Sequence, residues 1–197
     1  MMEIVITNIY IFVLASVLAI LEIQIEGPHG WAQNLPTWRP KNNKSMLNRF
    51  YSKFMSGRET TGYHITMFTF VFLILHLPYV FALPFNIYNW SMTLSMFLMF
   101  VVLWDYLWFV YNPHYPLKQF SKEKIWWHKQ WLLAAPRDYY FSFLLSAGVL
   151  LPAVLYYNDF SLLSWWLINI VLFTLQTILL VLFTIYVLKI DNWKSKK

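Results

Sequence analysis

With 197 residues, 59% of them hydrophobic, 21% aromatic and only 12% charged, the chain carries more apolar surface than one soluble core can cover, so lipid is its expected solvent. A net charge of +6 would suit nucleic acid in a soluble domain, but here basic residues alternate with long apolar runs, and no nucleic-acid partner is expected. The absence of cysteine excludes disulfides, thiolate metal sites, iron–sulfur clusters and thiol nucleophiles, and leaves His, Asp and Glu as the possible metal ligands.

A hydrocarbon core of roughly 30 Å takes about 20 residues of helix, and only helices and closed barrels satisfy their own backbone there. The apolar runs are long and do not alternate strictly, which argues against a barrel. The fold class read from them is an all-α integral membrane protein with five transmembrane helices in a single domain. The first span covers about 4–25. Its flank, Met1-Met2-Glu3, carries no cation, so it reads as a retained helix with its N-terminus outside. A segment over 26–62 follows, with Gly-Pro-His-Gly, Leu-Pro-Thr-Trp-Arg-Pro and a basic stretch from Lys41 to Lys53.

The second and third spans, about 63–85 and 90–111, are joined by a short cation-free turn and form a hairpin. The segment 112–138 opens with Asn112-Pro113-His114-Tyr115-Pro116. Farther on, Trp126, Trp127 and Trp131 are mixed with Lys122, Lys124 and Lys129, the composition of an interfacial amphipathic helix between the third and fourth spans. Two more spans, about 139–157 and 162–188, complete the count and bring the C-terminus to the cytoplasmic side. No small-xxx-small stripe is taken to fix the helix packing.

All fifteen Lys and Arg residues then fall on one face: six from Arg39 to Arg58, five from Lys118 to Arg137 and four from Lys189 to Lys197. By the positive-inside rule that face is cytoplasmic, and the protein is expected in the cell membrane as a multi-pass protein with its active face inward.

An ionisable group in a span costs at least ~2.5 kcal/mol on insertion scales, so each one is a functional candidate. Glu22, His64, His76 and Asp105 qualify. Helix direction brings Glu22, Glu26, His29, His64, Asp105, His114, His128 and Asp138 to the same cytoplasmic interface. Glu22 and Glu26 share a helical face and repel each other when ionised, so they need a shared proton, a cation or a metal. The sharp reading is a site for a divalent metal (zinc, iron or manganese) with Glu22, Glu26, His64, Asp105, His128 and Asp138 as ligands and His29 or His114 as further ones. No compact ligand motif is present; each helix or loop would contribute one or two groups. The bland reading pairs the acids with Arg39, Arg58, Arg137 or nearby lysines.

His76 stands about twelve residues beyond His64, near mid-span, with Pro78 kinking the helix. Lined by His76, Asn169 and Gln176, a pocket there would take an apolar tail. His64 and His76 lie about 120° apart in azimuth, which disfavours a haem between them. Arg39, beside Trp38, is the expected headgroup contact, and Asn112 a further substrate contact.

The function expected from these features is a metal-dependent membrane enzyme acting on a lipid or other long apolar substrate at the cytoplasmic leaflet. Hydrolysis by a metal-activated water is favoured over oxidation, with Glu22, Glu26 or His76 as acid–base groups. Two alternatives stand beside it: a metal-free acid–base lipid isomerase, and a non-enzymatic subunit that handles ions or protons or binds a partner. The oligomeric state is open.

Overall fold

The structure is a computed structural model that describes residues 1–27, 29–41, 45–55, 57–115 and 117–193. Lys44, Lys194, Lys196 and Lys197, among the cations counted above, and Pro28 and Pro116 lie outside the described residues. Seven α-helices are described: α1 (Met2–Glu26), α2 (Met46–Phe54), α3 (Gly62–Phe81), α4 (Ile87–Tyr111), α5 (Arg137–Gly148), α6 (Leu151–Tyr157) and α7 (Ser161–Leu182), the last continued by a wider π turn over Phe183–Leu188. Five stretches are long and apolar enough to cross a membrane: Met2–Glu26, Gly62–Phe81, Ile87–Tyr111, Arg137–Tyr157 and Ser161–Leu188.

Side-chain caps and prolines set the ends. Thr61 caps α3 by accepting the His64 N–H at 3.2 Å, and Asn86 caps α4 by accepting the Asn89 N–H at 2.9 Å. The second span stops at Phe81 rather than near residue 85, because Pro84 follows and holds the residue before it in extended backbone. The fourth span, expected as one helix, is broken into α5 and α6 between Gly148 and Leu151. Pro152 at the start of α6 has no N–H to continue the ladder of α5.

α4 is the hub, packed on α1, α3, α5, α6 and α7. In its most apolar window 61% of residues are buried, against 11% in the spans of α3 and α7, so α4 runs through the middle and the other two present most of their surface outward. Ala15 and Ala19, four apart on α1 and with no exposed surface, lie in the core cluster together with Phe100, Leu103 and Leu107 of α4. They form the kind of small-xxx-small pair that reading the sequence passed over, and small side chains let two helices approach closely.

The segment between the third and fourth spans is not a helix. It consists of a 3-10 turn at Leu117–Gln119, further turns, and two short strands, β1 (Trp131–Leu132) and β2 (Ala135–Pro136), paired antiparallel. Of its tryptophans, Trp127 is buried and Trp126 exposed. Aromatic packing overrode the helical pattern: the Trp127 ring stacks on Phe109 with centroids 5.9 Å apart and meets Trp108 edge-on at 5.8 Å, which draws this segment down onto α4. The amphipathic helix with exposed apolar and basic residues is instead α2, in the first connecting segment, where Met46 and Phe50 are exposed beside Arg49 and Lys53.

Candidate metal centre

Three buried side chains meet where α1 ends and α3 begins. Glu22 and Glu26 project from one face of the last two turns of α1, and His64 comes from the first turn of α3. One ligand atom from each lies within 4.8 Å of the other two. His64 Nε2 is 3.8 Å from Glu22 Oε1 and 3.6 Å from Glu26 Oε1. Both separations exceed an N–H···O hydrogen bond, about 2.7–3.2 Å. Two ligands bound at about 2.0–2.2 Å to one tetrahedral ion stand about 3.4 Å apart. The arrangement is therefore too loose for direct bonding and close to the right size for a shared cation.

Each of these groups is oriented by its surroundings. His64 Nδ1 is 2.6 Å from Thr61 Oγ1, so with Nδ1–H donating to that hydroxyl the Nε2 lone pair faces the carboxylates. Trp31 stacks on the imidazole with centroids 3.7 Å apart and an interplanar angle of 16°. Glu26 accepts the backbone N–H of Ala32. That bond requires the chain to double back after α1, which it does through two consecutive left-handed residues, Trp31 at φ 49° and Ala32 at φ 50°. Gly30 precedes them; a Cβ there would stand 2.7 Å from the buried Trp127 ring, so only glycine lets the two connecting segments close over the site. Glu22 has no backbone N–H partner among the described residues.

The remaining acids form a second, compensated group. The buried Arg58 guanidinium donates to Asp105 Oδ1 at 3.1 Å through Nη1 and to Asp138 Oδ2 through Nη2. Asp105 Oδ2 also accepts from the Tyr139 hydroxyl and lies 3.2 Å from His128 Nε2. His128 Nδ1 is 3.5 Å from Asp138 Oδ1. Burial alone would depress the Arg58 pKa, yet Asp138 and Asp105 beside it hold it above the ordinary arginine value. Burial also pushes the nearby Tyr51 hydroxyl above the usual phenol range. Trp31 separates the two groups, with His64 stacked on its ring and the Arg58 guanidinium 4.3 Å from the ring centroid.

Two small cavities flank this centre. One, of about 30 Å³, is lined by Glu22, Trp31, Arg58, His64, Trp104, Asp105, Asp138 and Tyr139. The other, of about 20 Å³, is lined by Glu22, Glu26, Gly30, Trp31, His64, Asp105, Trp108 and Trp127. Each has room for an ion or a water. The indole N–H of Trp108 is buried without an acceptor among the described residues, a donor that an oxygen held in the second cavity would satisfy.

The other candidates from the sequence lie elsewhere or have other partners. His29 is exposed, and His114 sits in a turn held by Asn112, whose Oδ1 accepts the N–H groups of His114 at 2.9 Å and Tyr115 at 3.2 Å. Asn112 is fully buried as the C-cap of α4, where it organises that turn. Arg39 is committed to Glu59 and to the Ala32 carbonyl, at 2.6 Å for the latter.

His76 lies about a turn and a half from the far end of α3, because α3 stops at Phe81. Its Nδ1 is 2.7 Å from the Phe72 carbonyl, and its Nε2 accepts the Trp90 indole N–H at 3.2 Å. Asn169 and Gln176, expected to line a pocket with it, are engaged elsewhere. Those two instead hold Asn8 of α1, whose Nδ2 donates to Asn169 Oδ1 at 2.8 Å and whose Oδ1 accepts from Gln176 Nε2 at 2.5 Å.

Reading the sequence missed Trp31, Tyr139, Trp108 and Asn8. Thr61 was legible as a helix cap, a Thr just before an apolar run. No local pattern marks the others. No protein-family model, characterised protein or solved structure matches this chain.

Proposed function

We propose that this chain is a multi-pass membrane enzyme that binds one divalent metal ion on Glu22, Glu26 and His64 and hydrolyses a lipid at the headgroup level of the cytoplasmic leaflet. The observation that carries the reading is the spacing of the three ligand atoms, all within 4.8 Å of one another and all buried. No Lys or Arg among the described residues forms an ion pair with either glutamate, since Arg58 is engaged by Asp105 and Asp138 and Arg39 by Glu59. Two carboxylates buried so close together without a counter-charge repel, and a divalent ion relieves that repulsion.

Carboxylate and imidazole donors without thiolate suit zinc, iron or manganese. Such an ion supplies Lewis acidity, and three protein ligands leave coordination positions open for water and substrate. The chain's own groups do the rest. Thr61 and Trp31 fix the imidazole, and the Ala32 N–H fixes Glu26. Glu22, without a backbone partner, would hold the ion through one carboxylate oxygen, while its other oxygen would take the proton as water attacks the ester carbonyl and pass it to the leaving alkoxide.

A lipid substrate follows from the surroundings. The 30 Å³ cavity shares Val102 and Tyr139 with an apolar groove of about 320 Å³ between α4, α5 and α7, lined also by Phe143, Phe173 and Ile178. That groove suits an acyl chain with its ester end beside Tyr139. The cytoplasmic orientation rests on the one-sided distribution of cations.

Elemental analysis of the purified protein, after incubation with zinc, iron or manganese and removal of the excess, tests the site. One ion per chain is expected in the wild type and in His76→Ala, and none in Glu22→Gln or His64→Ala. Substoichiometric metal in the wild type would sink the reading. A cysteine introduced by Lys41→Cys is expected to react with an impermeant reagent only after the cells are opened.

A further inference from the structure

Arg39, the headgroup contact expected from the sequence, is already held by Glu59, so a lipid head must find its counter-charge elsewhere. A groove of about 590 Å³ opens between α2 and the second connecting segment, and it reaches the candidate metal centre through two residues common to both, Trp31 and Arg58. Its walls carry Arg49, Ser52, Lys53, Lys129 and Gln130. Two further charged residues line it, and both are neutralised: Arg58 by Asp105 and Asp138, and Glu59 by Arg39. Arg49, Lys53 and Lys129 are left, with no described carboxylate within ion-pair distance.

These three cations line one groove. Arg49 and Lys53 are four apart on one face of α2, a like-charge pair that repels unless an anion lies between them. Lys129 faces them from the other segment, its stem laid along the backbone of Gly57. At Gly57 φ is +84°, and an added Cβ would come within 3.0 Å of the Lys129 Cβ. Trp126 on the groove wall and Met46 and Phe50 on α2 are exposed, apolar surface that belongs at a lipid interface rather than in bulk water.

We propose that this groove binds the phosphate of an anionic phospholipid, with Arg49, Lys53 and Lys129 as its counter-charges and the Ser52 hydroxyl as a further donor. The exposed apolar surface settles on the bilayer, and the bound head lies next to Arg58 and Trp31, beside the candidate metal centre. This deepens the lipid-hydrolase reading and rests on it for the fate of the bound lipid, whereas binding itself is measured without turnover.

The test is native mass spectrometry of the full chain in detergent, titrated with phosphatidic acid or phosphatidylcholine in the presence and absence of inorganic phosphate. The wild type is expected to retain phosphatidic acid in preference to phosphatidylcholine. The Arg49→Gln/Lys53→Gln/Lys129→Gln variant is expected to lose about a hundredfold of that affinity, since each basic residue near an anionic lipid contributes a factor of about five. Lys41→Gln/Lys122→Gln/Lys124→Gln, with the same loss of charge outside the groove, is expected to keep it.

Equal loss in both triple variants would overturn the site in favour of diffuse attraction. Undiminished binding in the first variant would overturn it outright. Displacement of phosphatidic acid by inorganic phosphate at equal concentration would overturn the lipid as the source. Metal content separates the two claims: a wild type without metal whose groove variant still loses phosphatidic acid keeps this proposal and ends the hydrolase reading.

Discussion

The two halves of the polar centre each set two carboxylates beside an imidazole at the same end of the bundle, yet only one of them holds a counter-charge. In one, Asp105 and Asp138 hold a buried Arg58 between them, with His128 and Tyr139 completing the bonds. In the other, Glu22, Glu26 and His64 converge with no cation among the described residues paired to them. A single indole, Trp31, lies between the halves. The difference shows that the role of a buried carboxylate is decided by the direction in which the nearest guanidinium turns. Fifteen cations in the chain do not make fifteen partners, because among the described ones only Arg58 is buried.

The largest expected effect breaks the compensated half. Arg58→Met leaves two carboxylates without their counter-charge and should cost about 3–5 kcal/mol, read by denaturant or thermal unfolding in detergent. A loss below about 1 kcal/mol would mean that the two halves do not differ as described. Next, zinc at a hundred times its dissociation constant should stabilise the wild type by about 2.7 kcal/mol. Asp138→Asn should keep that response and Glu26→Gln should lose it; the reverse pattern would move the ion to the Arg58 side.

The loop that separates the halves offers a smaller effect. Gly30→Ala drives a Cβ into the buried Trp127 ring and should cost about 1–3 kcal/mol, whereas Gly62→Ala meets Trp38, which is 69% exposed and free to swing away, and should cost less than Gly30→Ala in the same assay. The smallest effect concerns the far half of the bundle, where Asn8 joins α1 to α7. Asn8→Ala should cost about 0.6 kcal/mol, the usual size of an interhelical hydrogen bond in a membrane protein, and leave metal content unchanged.

The helical elements were legible because each span carries its own signal. Length and hydropathy mark five stretches, Thr61 and Asn86 announce helix starts, and prolines announce ends. Where the expectation failed, a local rule was outweighed by a contact distant in sequence. The 122–133 stretch has a helical mixture of Trp and Lys, but Trp127 gains more by packing on Phe109 and Trp108 than by lying at an interface. Mid-span His76 was singled out as ionisable, and its role as acceptor for Trp90 depends on where α3 ends. Trp31 could not have been picked out, because a tryptophan in a polar loop looks the same whether it stacks on an imidazole or anchors at a surface.

The sequence by itself determined that the chain has five membrane-length helices, that most of its buried acids and histidines gather toward one end of them, and that no thiol chemistry is available. Those properties follow from composition and helical geometry, which act along the chain. Only the tertiary structure decided how the acids divide: Glu22 and Glu26 toward His64, Asp105 and Asp138 toward Arg58. That division depends on two left-handed residues after α1, on a glycine that lets Trp127 close in, and on the direction of one guanidinium. Electrostatic partnership depends on separation in space to within an ångström or so, and helical periodicity specifies depth and face but not that distance.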